Sequence, residues 1–126
     1  MRPTLILGLA TALVTAVAIG GSARAQSTPT PPPPQIAVSG GTITVTAQGG
    51  THVNSGFPWY VKDGTGTKVK QLADFSFSGG SAGSPTTATV SGAPAAGTLR
   101  GGYCLDTGCY TFTASCTASS CTITGT

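Results

Sequence analysis

The sequence predicts an all-β domain, a sandwich of short antiparallel strands. Three observations point there: apolar and polar residues alternate over runs of three to five, glycines punctuate those runs, and no segment beyond the N-terminal leader has helical periodicity with caps.

Each element follows in order. Ile36-Ala37-Val38 and Thr42-Ile43-Thr44-Val45-Thr46 read as strands separated at Gly40-Gly41. Trp59-Tyr60-Val61 leads to the turn signal Asp63-Gly64 and then to the segment 68–72. Phe75-Ser76-Phe77 alternates again. Residues 86–90 are rich in strand formers, and Gly92-Ala93-Pro94 ends them. Segments 99–104 and 110–112 read as arms of a hairpin around Asp106-Thr107-Gly108, and 121–124 as a last short strand. Seven to nine such strands with glycine-rich turns make a sandwich the expected architecture.

The N-terminus reads as a secretory signal peptide over 1–25. Arg2 supplies the positive start, residues 5–19 form an apolar run broken only by Gly and Thr, and Ala23-Arg24-Ala25 offers small residues for cleavage. The run is short for a membrane span, which takes about twenty residues. No stop-transfer charges follow it, so no stable membrane anchor is expected after cleavage. Residues 26–35 contain Ser-Thr-Pro-Thr-Pro-Pro-Pro-Pro, an extended polyproline spacer that precedes a domain over 36–126.

Charge excludes one class of partner. After the leader, the cations are Lys62, Lys68, Lys70 and Arg100, against Asp63, Asp74 and Asp106. Four scattered cations make no nucleic-acid footprint. Eight aromatics and twelve large aliphatics must supply the core of so small a domain. Burial gains and chain entropy nearly cancel at that size, so covalent staples matter.

All four cysteines lie beyond the export signal, in the pattern Cys104-x4-Cys109 and Cys116-x4-Cys121. That context reads as disulfides in the periplasm or outside the cell. Four cysteines allow three pairings. Loop entropy separates local from nested pairing by only about 1 kcal/mol, and the tightness of a hairpin slightly favours local pairing. Zinc is disfavoured because six residues between pairs is tight for two knuckles. No metal or other cofactor is implied. The 104–109 loop spans a turn that a partner thiol can reach, yet it holds no cation to lower a thiol pKa, and Asp106 works against it.

Three segments carry a resemblance. They are Thr51-His52-Val53-Asn54 running to Phe57-Pro58-Trp59, Ala93-Pro94-Ala95-Ala96-Gly97-Thr98, and Gly101-Gly102-Tyr103-Cys104-Leu105-Asp106-Thr107-Gly108-Cys109-Tyr110. Together they resemble the N-terminal domain of the periplasmic thiol:disulfide interchange protein DsbD, and the small stand-alone exported bacterial proteins built on it, over residues 36–113. The resemblance implies an immunoglobulin-like β-sandwich. It also implies that Cys104 and Cys109 exchange electrons with a thioredoxin-like partner. This chain departs from that pattern in a shorter loop between the cysteines and in a second pair, Cys116 and Cys121. No membrane or thioredoxin-like domain accompanies it within these 126 residues.

The remaining candidates are few. His52 is the only histidine and would serve as a base only beside a nucleophile. The three aspartates are isolated, so a paired-carboxylate hydrolase is not expected, and the Gly-x-Ser-x-Gly nucleophile elbow is missing. Phe57, Trp59 and Tyr60 form the densest aromatic cluster. An exposed ring there suits a sugar or a partner loop, although strand alternation should bury either Trp59 or Tyr60. The leading expectation is therefore an exported, disulfide-stabilised module for protein interaction or structure. The alternatives are thiol–disulfide exchange through Cys104/Cys109 and surface or carbohydrate binding through Trp59/Tyr60.

Overall fold

Glycines set the first turns. β1 (Gln35–Ser39) and β2 (Thr42–Thr46) are joined by Gly40 and Gly41 at φ 57° and 79°, the left-handed values that a two-residue hairpin turn requires. A computed structural model describes residues 31–126. The expected signal peptide over 1–25 and linker residues 26–30 lie outside the described residues.

The remaining strands are β3 (His52–Val53), β4 (Tyr60–Asp63), β5 (Lys68–Gln71), β6 (Phe75–Ser78), β7 (Thr87–Val90), β8 (Ala96–Leu105), β9 (Gly108–Thr117) and β10 (Cys121–Gly125), with a 3-10 turn at Leu72–Asp74. One sheet runs β1-β2-β7-β6. The other runs β10-β9-β8-β4-β5, with β3 pairing the far part of β8. All pairings are antiparallel. This all-β sandwich has the strand order of the immunoglobulin type, with β5 as an additional edge beside β4 and β10 beyond β9.

Alternation builds the core. Ile43, Val45, Ala88, Val90 and Phe75 point inward from the first sheet, and Val61, Leu99, Tyr103, Phe112 and Ala114 from the second. Trp59, just before β4, is 1% exposed and packs its ring against Phe75, Phe77 and Phe112 at centroid distances of 5.4, 5.7 and 5.7 Å. Its indole N–H donates to the Asn54 carbonyl at 2.7 Å, so the buried polar edge is satisfied.

Five details differ from the sequence expectation. β8 and β9 are ten residues each, longer at both ends than the arms 99–104 and 110–112, because they pair with each other from Ala96–Thr117 to Leu105–Gly108. A Cβ on Gly101 would run into the Trp59 ring, so the glycine is there to admit the indole. The hairpin turn is only Asp106-Thr107, since Gly108 already pairs with Leu105. Leu72 belongs to the 3-10 turn and not to β5. The end of the proline run is packed on the domain: Pro34 is buried, and the Pro33 carbonyl accepts a bond from Gln48 Nε2 at 3.0 Å. Gln35, expected in the spacer, opens β1.

Candidate functional site

Parity along β8 and β9 decides where the sulfurs go. Leu99 and Tyr103 are core residues, so Arg100, Gly102 and Cys104 lie on the opposite, outer face. Phe112, Ala114 and Cys116 are in the core, so Cys109, Thr111 and Thr113 lie on that same outer face. Both bridges form between direct cross-strand partners: Cys104 with Cys109, and Cys116 with Cys121, each with Cα atoms 4.0 Å apart. Local pairing is therefore what the chain adopts. Nested pairing fails because Cys109 and Cys116, seven residues apart on one strand, face opposite ways.

The bridges thus differ in surroundings. Cys116 is 5% exposed and packs with Cys121 against the core. Cys104 is 4% exposed but lies outside the core cluster, and its partner Cys109 is exposed. Two disulfides mark a chain that matures in an oxidising environment.

Beside the outer bridge stands the only histidine. β3 is two residues long and pairs His52 opposite Cys104, while Val53 turns into the core opposite Tyr103. Directly opposed side chains start about 5 Å apart at Cβ. His52, Cys104 and Cys109 therefore form one row across three strands. The turn that delivers β3 is held by Gly49 and Gly50 at φ 59° and 81°, and by the Thr51 hydroxyl, which donates to the Gln48 carbonyl at 2.5 Å. After β3, the Asn54 N–H bonds the Gly102 carbonyl at 2.8 Å. Phe57 then covers Gly102, where a Cβ would stand 3.1 Å from its ring.

Further along the same face, Arg100 lies opposite Tyr60. Its guanidinium carbon sits 5.8 Å from the Phe57 ring centroid, and its Nη1 donates to Thr113 Oγ1 at 2.9 Å. Tyr60 is half-buried, with Lys62 and Lys68 Nζ at 5.3 and 4.7 Å from its ring centroid. The nearby Asp63 carboxylate is committed to its own turn: Oδ1 accepts from the Thr65 hydroxyl, Thr65 N–H and Thr67 N–H. Those bonds, the Thr65 hydroxyl first, hold its pKa below the usual carboxylate range. On the inner face the Tyr103 hydroxyl is buried with no partner among the described residues. Burial, with Tyr110 adding, pushes its pKa above the ordinary phenol range.

The predicted site residues therefore separate. His52, Cys104 and Cys109 come together on the outer face. Cys116 and Cys121 line the core. Trp59 is buried in the core, and Tyr60 is half-buried with two ammonium groups near its ring. That arrangement leaves no stacked pair of rings for a sugar. In the sequence Phe57 reads only as part of an aromatic cluster and Lys62, Lys68 and Arg100 only as scattered charges; the cross-strand register gathers them. Among the described residues, no three His, Cys, Asp or Glu side chains are grouped to hold a metal ion.

The class that fold and bridges define is a disulfide-stapled, immunoglobulin-type β-sandwich. No protein-family model matches the chain, and neither does any curated protein or solved structure.

Proposed function

We propose that this domain is an exported thiol–disulfide exchange module working through Cys104 and Cys109. The observation that carries the reading is the row of His52, Cys104 and Cys109 on the solvent face, with Cys109 exposed. The sequence resemblance to the DsbD N-terminal domain supports the same pair, and a thioredoxin-like dithiol protein as its partner. The leader, with Arg2 and Ala23-Arg24-Ala25, supports delivery to the periplasm or the medium.

The chemistry balances as a two-electron exchange. A partner thiolate attacks Cys109 Sγ, the bond to Cys104 Sγ breaks, and its electron pair leaves on Cys104. His52, directly opposite Cys104, stands beside that leaving sulfur, and a better leaving thiol leaves faster. The partner's second thiolate then attacks the mixed disulfide. The partner departs as a disulfide, and this chain keeps two electrons and two protons as a pair of thiols. Cys116–Cys121 takes no part and staples the core.

The test is the potential of each bridge, read by mass spectrometry after equilibration in glutathione buffers. Cys104–Cys109 should titrate above about −300 mV and Cys116–Cys121 below it. His52→Ala should slow opening by a partner dithiol about threefold, with its melting temperature unchanged. If both bridges stay oxidised throughout, the exchange reading is wrong, and the domain is an interaction or structural module.

A further inference from the structure

The outer face of the larger sheet carries a second feature that the exchange chemistry does not use. Lys62 and Lys68 are direct cross-strand partners on β4 and β5. Like charges set opposite each other cost stability. Both ammonium groups nevertheless turn to one ring, that of Tyr60, and Arg100 lies opposite Tyr60 on β8. A cation over an aromatic face gains enough to hold such a geometry. The carboxylate closest in sequence, Asp63, is spent inside its turn. Three positive charges are thus ordered, close together and not neutralised by it.

Their position is as informative as their sign. Arg100 and Cys104 share one face four residues apart, about 13 Å along the strand. Phe57 lies between them, over Gly102. At the far end, beyond the bridge, the exposed turn carries Asp106, roughly 25 Å from the lysines. A partner that reaches Cys109 with an ordinary interface of about 800 Å² also covers the cations. The face is therefore polarised, positive at the β4–β5 end and negative at the reactive turn.

We infer that Lys62, Lys68 and Arg100 form a docking patch for a protein partner whose thiol is flanked on one side by carboxylates, with Tyr60 and Phe57 holding the cations in place. The assignment of a thiol-bearing partner rests on the exchange reading above; the acidic character of that partner rests on the patch alone.

Short labelled peptides separate the two. One carries a cysteine beside a run of glutamates and another has glutamines in their place; each is also made with serine for cysteine. By fluorescence anisotropy on the full chain, the glutamate–serine peptide should bind about fivefold tighter than the glutamine–serine peptide, the sum of a few exposed charge pairs. Salt should erase the difference, and so should Lys62→Gln combined with Lys68→Gln, with unchanged melting temperature. The glutamate–cysteine peptide should likewise open Cys104–Cys109 faster than its glutamine counterpart. Equal binding of both serine peptides, or undiminished preference in the lysine variant, overturns the patch. Tighter binding by a uronic-acid polysaccharide that displaces the peptide overturns it too, in favour of a glycan ligand. If the glutamate–serine peptide binds but neither cysteine peptide opens the bridge, the patch stands and the exchange reading falls. If both cysteine peptides open it equally, exchange stands and the patch falls.

Discussion

The hairpin between β8 and β9 and the hairpin between β9 and β10 have the same cysteine spacing and the same two-residue turns, yet they staple opposite faces of one sheet. The first puts its sulfurs outward beside His52. The second puts them inward against the core. The difference comes from the seven-residue step from Cys109 to Cys116: an odd step along a strand reverses the face. Spacing within a pair sets which sulfurs meet, and spacing between pairs sets what they meet them for. One shared strand, β9, thereby carries an outward sulfur at one end and an inward one at the other.

Removing each bridge gives the largest effect that can break this comparison. Both close six-residue loops, worth roughly 2 kcal/mol each by loop entropy. Cys116→Ala with Cys121→Ala also strips buried sulfur from the core and should cost about 3 kcal/mol. Cys104→Ala with Cys109→Ala should stay near 2 kcal/mol. Urea denaturation of both double variants measures the gap; equal losses would mean the inner bridge adds no packing.

A smaller effect tests the inner side of the first hairpin. Tyr103 stacks on Tyr110 at 5.7 Å but buries a hydroxyl that no described residue bonds. An unpaired buried hydroxyl is a net cost, so Tyr103→Phe should raise stability by about 1 kcal/mol and the melting temperature by about 5 °C. A drop instead would reveal a bond to that oxygen.

The smallest concerns the turns. In the second hairpin the Thr117 hydroxyl accepts from the Ser119 and Ser120 N–H groups at 3.3 and 3.2 Å, while Asp106 and Thr107 stand exposed in the first. Thr117→Val should cost about 0.5 kcal/mol. Amide exchange should be faster at the first turn than at the second in the native chain and more nearly equal in the variant.

Much of the sandwich was legible because strand alternation is local: β1, β2, β6 and β7 can be read from Ile36 to Val38, Thr42 to Thr46, Phe75 to Phe77 and Thr87 to Val90. Two things were not. The full length of β8 and β9 is one: 99–104 reads as strand through Gly101-Gly102, but the extension to Ala96 and Thr117 depends on the pairing of the two strands, and the reason for glycine there lies in Trp59 and Phe57, some forty residues earlier. β3 is two residues long, below any periodic signal, so the meeting of His52 with Cys104 depends on a register across fifty residues of chain. The gathering of Lys62, Lys68 and Arg100 around Tyr60 and Phe57 has the same origin. The opposite facing of the two bridges was available: counting the odd step from Cys109 to Cys116 along one strand would have excluded nested pairing.

Antibody domains of this strand order carry a disulfide that ties one sheet to the other. Here both bridges join neighbouring strands of the same sheet, and the two layers are clasped by side chains such as Trp59, Ile43 and Phe112 and by the backbone bond from the Val53 N–H to the Pro85 carbonyl. Opening the outer bridge therefore severs nothing that holds the layers together. Bridge and layer packing are thus separate features of the molecule: each staples or clasps without the other.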